Sequence, residues 1–406
     1  NGESLISSCV DNSGNLYFTG GFSSSSYFGN DTLSSSSDYS SFLAKLDASG
    51  NHLWAVKAGG DDPSPGAGAR CEVFYDSYDN SLVVSSRMSG LNQAVGNCTP
   101  YQGQPEQSNY HLTKLDTDGN CVWTVNYGDE FVTSLIGDGV GNLYLIMRVV
   151  PGGSMFNGEF LSEGRYLVKL KSVDGSVVWN VRILDFSYSF PKIAYQGGKL
   201  WIAGNTGTGT TFSFAGSSET TFPNDVFVAQ LDTSTSVQWL KTYGGEGIDG
   251  TAHLGVDNEG NLYISGEFGD EAFFDDTSLT ATNDNDLFLM KLNGQGHRLW
   301  LKRSVAVGNV NYYSGISDSI GNSVLCGKFS GTITFDPYTV TANDESGLVV
   351  KYDSAGLCVG VKTIPNIATG RVIPTIDHEA STLVAGSFAE ESNFDGIIVN
   401  SVDGGY

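Results

Sequence analysis

The chain has 406 residues and sets 45 acidic against 21 basic side chains, for a net charge of −24. Affinity for a phosphate backbone or an anionic membrane rests on clustered Lys and Arg, so this balance excludes nucleic acid and anionic lipid as partners. No apolar run reaches the ~18 residues of a membrane-spanning helix, so no membrane insertion is expected.

Gly stands at 52 positions, and Ser, Asn, Asp and Thr crowd the segments between apolar runs. That composition suits many short strands joined by turns. The opening Asn1-Gly2-Glu3-Ser4 has neither an initiator Met nor a signal peptide, as expected of a mature, processed or trimmed form.

In chain order, a first strand ends at Val10, a turn follows over Asp11-Asn12-Ser13-Gly14-Asn15, and a second strand runs Leu16-Tyr17-Phe18-Thr19-Gly20. The same line returns as Val256-Asp257-Asn258-Glu259-Gly260-Asn261-Leu262-Tyr263-Ile264-Ser265-Gly266. Its turn recurs at Gly141-Asn142, Gly198-Lys199 and Gly321-Asn322, where Gly or Asn supplies the positive φ of a tight hairpin. A Gly-x-Phe closes the second strand at Phe22, Phe268, Phe329 and Phe388.

Next comes Phe followed five residues later by Leu or Val: Phe28 and Leu33, Phe274 and Leu279, Phe335 and Val340, Phe394 and Val399. This spacing predicts an accessory hairpin between the second and third strands. The third strand alternates with period two, Phe42, Ala44 and Leu46 on one face and Leu43 with Lys45 on the other. Phe227–Leu231 and Phe288–Leu292 do the same.

An Asp-x-x-Gly turn, such as Asp47-Ala48-Ser49-Gly50, then leads to a fourth strand with a Trp nine or ten residues after the Lys or Gln of the third. Lys45 leads to Trp54, Lys114 to Trp123, Lys169 to Trp179, Gln230 to Trp239 and Lys291 to Trp300, while Lys351 leads to Gly360, where the Trp is lost.

Four antiparallel strands every ~60 residues describe a propeller blade, the accessory hairpin accounting for the excess over a ~40–45-residue WD40 blade. Units start near residues 5, 66, 130, 188, 248, 309 and 369. The expectation is an all-β fold over 1–406, a seven-bladed β-propeller of four-stranded antiparallel blades with the last blade incomplete in this chain. The seventh unit shows two strands around Ile376 and Leu383 and stops at Asp403-Gly404-Gly405-Tyr406. The polypeptide is therefore expected to continue past Tyr406 or to be completed by another segment.

The six cysteines are Cys9, Cys71, Cys98, Cys121, Cys326 and Cys358, an even count that fits an oxidising compartment. None forms Cys-x-x-Cys, which gives zinc and thioredoxin-like chemistry no support. Cys121 and Cys358 fill the same strand position of different repeats, and Cys98, in an insertion, can reach Cys121 of its own repeat.

The lines Asp-x-Ser-Gly-Asn-Leu-Tyr-x-x-Gly (residues 11–20) and Phe-Leu-Ala-Lys-Leu-Asp-Ala-Ser-Gly-Asn-x-Leu-Trp-Ala-x-x-Ala-Gly-Gly (residues 42–60) resemble the bacterial SBBP-type β-propeller repeat family. Residues 225–245 and 255–300 are similar to it as well, and the likeness extends over nearly the whole chain. Three places depart from the pattern: the Pro/Gln/Asn-rich insertion at 61–110, Lys171 in place of the Asp after the third strand, and the missing Trp of the sixth unit. The resemblance implies a secreted or surface-displayed segment of a larger protein, and it brings no catalytic residues with it.

Chemistry-bearing patterns are sparse. His52, His111, His253, His297 and His378 fall at scattered repeat positions with no His-Glu-x-x-His, and neither a Gly-x-Ser-x-Gly elbow nor a Walker loop occurs. Gly137-Asp138-Gly139-Val140-Gly141 is glycine-rich but occupies the repeat's hairpin turn. Leu-Asp-x-x-Gly followed by Trp also resembles the repeats of quinoprotein dehydrogenases, which hold a quinone and Ca²⁺ over the propeller axis; this chain lacks the vicinal cysteines some of them use. The sialidase Asp-box has different spacings.

Asp275-Asp276, Asp284 with Asp286, Asp336 and Asp395 follow or flank the accessory hairpins, where turn capping is the leading reading and Ca²⁺ the alternative. Tyr312-Tyr313 and Phe186-Ser187-Tyr188-Ser189-Phe190 are the aromatic clusters closest to unit joins, with packing favoured over ligand stacking. No catalytic, cofactor or metal residue is nominated. The chain is expected to be a non-enzymatic secreted or surface module binding a protein or glycan at a propeller face. A quinoprotein-like dehydrogenase and a carbohydrate-binding propeller are the alternatives.

Overall fold

The structure is a computed structural model that describes residues 4–35, 40–59, 71–89, 94–99, 108–128, 131–185, 190–207, 211–365, 367–376, 382–388, 391–394 and 397–400. Every regular element among them is a strand. Six four-stranded antiparallel meanders follow one another.

Sheet 1 comprises Ser4–Val10, Leu16–Phe22, Ser40–Leu46 and His52–Lys57. Sheet 2 comprises Glu72–Asp76, Ser81–Ser89, Ser108–Asp116 and Cys121–Asn126. Sheet 3 comprises Phe131–Gly137, Asn142–Val149, Gly164–Lys171 and Val177–Leu184. Sheet 4 comprises Lys192–Gln196, Lys199–Asn205, Val226–Asp232 and Val237–Gly245. Sheet 5 comprises Gly250–Val256, Leu262–Phe274, Thr277–Leu292 and Arg298–Arg303. Sheet 6 comprises Val310–Ser317, Ser323–Phe335, Tyr338–Tyr352 and Cys358–Ile364. The strands Ile367–Ile376 and Thr382–Phe388 pair beyond them. This is an all-β fold of propeller-type blades.

The chain divides into two compact units, one holding residues 4–182 and the other 183–374, with the last strands divided between them. In the first unit, Leu43 of sheet 1 meets Val73, Leu82 and Val84 of sheet 2, and Val83 and Leu112 of sheet 2 meet Leu143 and Val168 of sheet 3. In the second, Val226 and Val228 of sheet 4 meet Phe288 and Met290 of sheet 5, whose Leu287 and Leu289 point the other way onto Leu325 and Leu348 of sheet 6. The third strands of sheets 2 and 5 are buried on both faces because each lies between two neighbours, and period-two alternation sends its residues to both cores.

The Asp-x-x-Gly turn has a local explanation. Gly50 sits at φ 81°, and its N–H reaches back to Asp47 O at 2.9 Å, while Asp47 N–H donates to Asn51 O at 2.8 Å. This is a type I turn closed by a glycine bulge, and it shifts the register so that Lys45 stands opposite Trp54 while Leu46 stands opposite His52. The same shift follows Lys114, Gln230, Lys291 and Lys351. In sheet 3 the turn is one residue longer, Gly175 N–H reaching back to Lys171 O, which accounts for the ten-residue spacing from Lys169 to Trp179.

The predicted accessory hairpins are present: Phe28 pairs with Asp31, Phe274 with Thr277, Phe335 with Tyr338 and Phe394 with Ile397. Phe28 and Leu33 fold back onto Phe42, the Phe28 and Phe42 rings 4.5 Å apart. The hairpins also cover the outer edge strands, whose free N–H and C=O groups would otherwise template aggregation. Ala55 N–H donates to Asp31, Tyr338 OH to Val359 O, and Arg298 to Asp276 and Thr277. In the second unit sheets 4 and 5 also join directly, Gly244 and Gly245 pairing with Phe273 and Ala272.

Candidate functional site

The repeated polar residues hold one blade to itself and to the next. Asp11 Oδ1 accepts the N–H groups of Ser13 and Asn15, and its Oδ2 accepts the Asn15 amide and the Tyr17 hydroxyl at 2.8 and 2.9 Å. Asp257 does the same with Glu259, Asn261 and Tyr263. Asp47, Asp116, Asp138, Asp318 and Asp353 cap their turns through the N–H groups two and four residues on. The Asn51 amide and N–H, then the Ser49 N–H, hold the Asp47 carboxyl below the usual range. Gly137–Gly141 is such a turn, not a phosphate cradle.

Above these turns the Lys lies on the Tyr ring, 5.1 Å for Lys45 over Tyr17 and 4.9 Å for Lys291 over Tyr263. Its ammonium then crosses to the next sheet, Lys45 to Thr117 O at 2.8 Å and Lys291 to Ser354 O at 3.4 Å. The Trp crosses as well. Trp123 and Trp239 donate to Ser172 O and Gly294 O at 3.0 and 3.3 Å. Trp54, Trp123, Trp239 and Trp300 lie against the turn glycines Gly119, Gly175, Gly296 and Gly356 of the following sheets. Where Gly360 replaces the Trp, a Cβ would meet nothing within 4 Å.

Lys114 departs from this pattern. It is fully buried, with Nζ 3.2 Å from Asp76, 2.7 Å from Asp79 and 3.1 Å from Ser172 O, and it bonds the Ser172 hydroxyl, which itself bonds Asp76. The network joins sheets 2 and 3.

The other sequence candidates separate. His52 lies 3.5 Å from Asp31, and His297 N–H caps on Asn293. His111 is buried in sheet 2, and burial lowers its pKa to about 4. His253 Nε2 stands 2.9 Å from Ser317 Oγ, which is 2.8 Å from Ser323 Oγ. That is a Ser–His pair, but burial and then the Lys192 charge push the imidazole down to about 3, too weak a base to activate a hydroxyl near neutrality. His378 lies outside the described residues.

Asp275 pairs with Lys241 at 2.9 Å and Asp276 with Arg298, so ion pairs rather than turn caps are their contacts. Asp286 is a buried acceptor, while Asp284 and Asp336 are exposed. Asp395 lies outside the described residues. Tyr312 is buried with its hydroxyl 2.6 Å from Ser265 Oγ, so it packs between sheets and offers no stacking face. The Tyr313 side chain and residues 186–189 lie outside the described set, and Phe190 is exposed.

Cys98 and Cys121 form a disulfide. Cys121 and Cys358 each open an outer strand, the shared position expected of them. Burial pushes the Cys71 thiol up to about 12 and those of Cys9 and Cys326 higher, which leaves them un-nucleophilic.

Two features remain outside the repeat's structural use. The first is a groove of ≈ 310 Å³ on sheet 6, lined by Asn309, Asn311, Asn343, Asp344 and Glu345 with Phe329 and Ser330. The second, which the sequence did not single out, is a buried carboxylate pair, Asp225 and Asp249. Asp225 Oδ2 accepts the Phe222 N–H at 2.9 Å and Asp249 Oδ2 accepts the Gly245 N–H at 2.9 Å, while the Oδ1 atom of each has no hydrogen-bond partner. Burial, opposed by the Phe222 bond and reinforced by the Asp249 charge, raises Asp225 to about 7. Burial raises Asp249 to about 6 against the Gly245 and Gly269 N–H bonds.

No family model matches the chain, and no curated protein matches it. Among solved structures, the chain is similar to a polysaccharide lyase, a PL25 ulvan lyase bound to an oligosaccharide, with 12% identity and a TM-score of 0.49 over 95% of this chain and 91% of that one. It is also similar to the Dos1 propeller, with 9% identity and a TM-score of 0.46 over 95% and 90% of the two chains. A third similarity is to the quinohemoprotein alcohol dehydrogenase of Comamonas testosteroni, with 10% identity and a TM-score of 0.42 over 95% of this chain and 71% of that one.

Proposed function

We propose that the chain is a non-enzymatic propeller serving as a binding or structural module of a larger secreted or surface-displayed protein or assembly. The observation that carries this reading is the use of the repeated polar residues. Asp11 and Asp257 bond Tyr17 and Tyr263, Lys45 and Lys291 reach the next sheet, and Trp123 and Trp239 donate to it, so the repeated chemistry of the sequence is architecture. The His253 imidazole is buried and weakly basic, and the free thiols of Cys71, Cys326 and Cys358 are buried with that of Cys9 half-buried.

Two further observations support the setting. The Cys98–Cys121 disulfide suits an oxidising compartment. Leu53, Val122, Val178, Leu299 and Val359, each beside the Trp position on an outer strand, are exposed, which suits contacts within a larger assembly. The SBBP-like signature agrees with both. A quinone-dependent dye-reduction assay with Ca²⁺ and primary alcohols separates this reading from the quinoprotein alternative. The expected result is no turnover above blank, and cofactor-dependent turnover would reject the proposal.

The groove on sheet 6 favours a second reading, a glycan ligand. Amides and carboxylates arrayed around a ≈ 310 Å³ groove match the hydroxyls of a sugar unit. Glycan-array binding abolished by Asn343→Ala and Glu345→Ala would support it. Binding that survives both would exclude this groove.

A further inference from the structure

Asp225 and Asp286 occupy the same place in consecutive repeats, each just before the apolar run of a third strand. Their surroundings differ. Asp286 is fully buried and accepts four hydrogen bonds: the Thr282 N–H and hydroxyl at 2.9 and 3.0 Å on Oδ2, and the Ala306 N–H and Ser304 hydroxyl at 2.8 and 3.3 Å on Oδ1. Asp225 is 4% exposed and its Oδ1 accepts nothing.

The cause lies six residues after the fourth-strand Trp, at Ala306 in one repeat and Gly245 in the other. Ala306 gives its N–H to Asp286, whereas Gly245 gives its N–H to Asp249. Asp249 is 1% exposed, held by its carbonyl to the Asn205 amide at 2.5 Å, and its own Oδ1 is also without a partner. A buried acceptor left unpaired is unfavourable, and two carboxylates side by side add mutual repulsion.

Among the described residues no cation compensates the pair. The charges acting on the pair are those of the two carboxylates and Asp270. The two carboxylates converge on Gly244, at φ 143°: Asp225 Oδ1 and Asp249 Oδ2 both lie within 2.5 Å of the point where its Cβ would stand, so the two oxygens face a common point. Two oxygens so close can both touch one ion of ~2.3–2.6 Å metal–oxygen distance. The donors are carboxylate oxygens, which select hard cations over soft ones. Among the described residues no third carboxylate or imidazole completes a cluster, so carbonyl oxygens and water fill the remaining positions.

We propose that Asp225 and Asp249 together bind one hard cation of the Ca²⁺ class between sheets 4 and 5. The ion neutralises the pair and ties the loop carrying Asp249 to the third strand of sheet 4. The Asp275, Asp276 and Asp286 carboxylates, singled out by their density in the sequence, are already occupied by Lys241, Arg298 and protein donors.

The test is thermal unfolding of the full chain at pH 8, stripped with EDTA and then given millimolar CaCl₂, MgCl₂ or NaCl, with calorimetric titration of CaCl₂ alongside. Wild type is expected to bind one Ca²⁺ per chain and to gain at least ~3 °C in Tm. Asp225→Asn and Asp249→Asn should fold, lose the titration signal and lose the gain, whereas Asp284→Asn keeps both. No response of wild type to any of the three salts would overturn the proposal. So would an undiminished Ca²⁺ response in Asp225→Asn. A wild type indifferent to cations, with Asp225→Asn more stable at pH 8, would assign the pair to proton sharing instead.

Discussion

Trp239 of sheet 4 lies on Gly296 in the outer turn of sheet 5: a Cβ on that glycine would stand 3.2 Å from the indole ring. The turn needs glycine for its φ of 79°, and the Trp needs it for access. The two demands coincide at Gly175 and Gly356, where a Cβ would stand 3.0 and 3.1 Å from the ring, while at Gly119 it would stand 3.5 Å away, an ordinary contact; the turn glycine and the Trp belong to one inter-blade contact.

The two demands can be separated. Gly50 has a φ of 81° but nothing within 4 Å of its Cβ position. Gly50→Ala should therefore show only the left-handed backbone penalty of ~1–2 kcal/mol. Gly296→Ala should lose about 1 kcal/mol more, because the methyl displaces the ring. Urea unfolding of the two variants measures the difference.

Lys114 is a buried ammonium that faces two carboxylates, Asp76 and Asp79. Lys114→Met leaves Asp76, itself 1% exposed, with no counter-charge and should destabilise the chain by ~3–5 kcal/mol. Asp79→Asn, at the exposed side of the network, should lose under ~1 kcal/mol. Denaturant midpoints of both variants check the ranking.

Acid and base should act on different groups. His111 and His253 fall from the ordinary 6.5 to about 4 and about 3, so the unfolded chain binds more protons below pH 6.5. Their contribution is complete above pH 6.5 and is lost as pH falls through the folded values, by up to ~1.4 kcal/mol per pH unit for each group. Asp225 rises from 3.8 to about 7, so the folded chain binds more protons between those values and stability falls as pH rises through them. In EDTA, Asp225→Asn should match wild type near pH 4 and exceed it in Tm at pH 8. His253→Gln should be less stable than wild type at pH 7.5, with the deficit narrowing by pH 4.5. Melting curves across pH 4–8 read both.

The disulfide closes a loop between positions 23 residues apart. Cys98→Ala with Cys121→Ala should lower stability by ~2–4 kcal/mol. Thiol titration in denaturant should find four free thiols before reduction and six after it.

The meander, the accessory hairpins and the Cys98–Cys121 pairing were legible because each is local, carried by turn residues and period-two alternation within one repeat. What lay beyond the sequence was where the repeated side chains go. An aromatic repeated once per blade already reads as a ring between neighbouring sheets, but that Lys45 crosses with Trp54, to Thr117 O, depends on packing between residues 72 positions apart. Tyr312 lies near a unit join, where packing is the favoured reading, but that its hydroxyl meets Ser265, 47 positions away, is set by packing between sheets. The Asp225–Asp249 pair was hidden by repetition. Asp225 looks like Asp286, and only the diversion of the Gly245 N–H to Asp249 makes it different.

The claim that the repeated Trp and the following turn glycine form one contact is tested most directly by a double-mutant cycle on Trp239 and Gly296. Wild type, Trp239→Ala, Gly296→Ala and the double variant are unfolded in urea. Gly296→Ala should do less harm once the ring is gone, giving a coupling energy of ~1 kcal/mol or more between the two sites. Additivity within ~0.3–0.5 kcal/mol would contradict the contact.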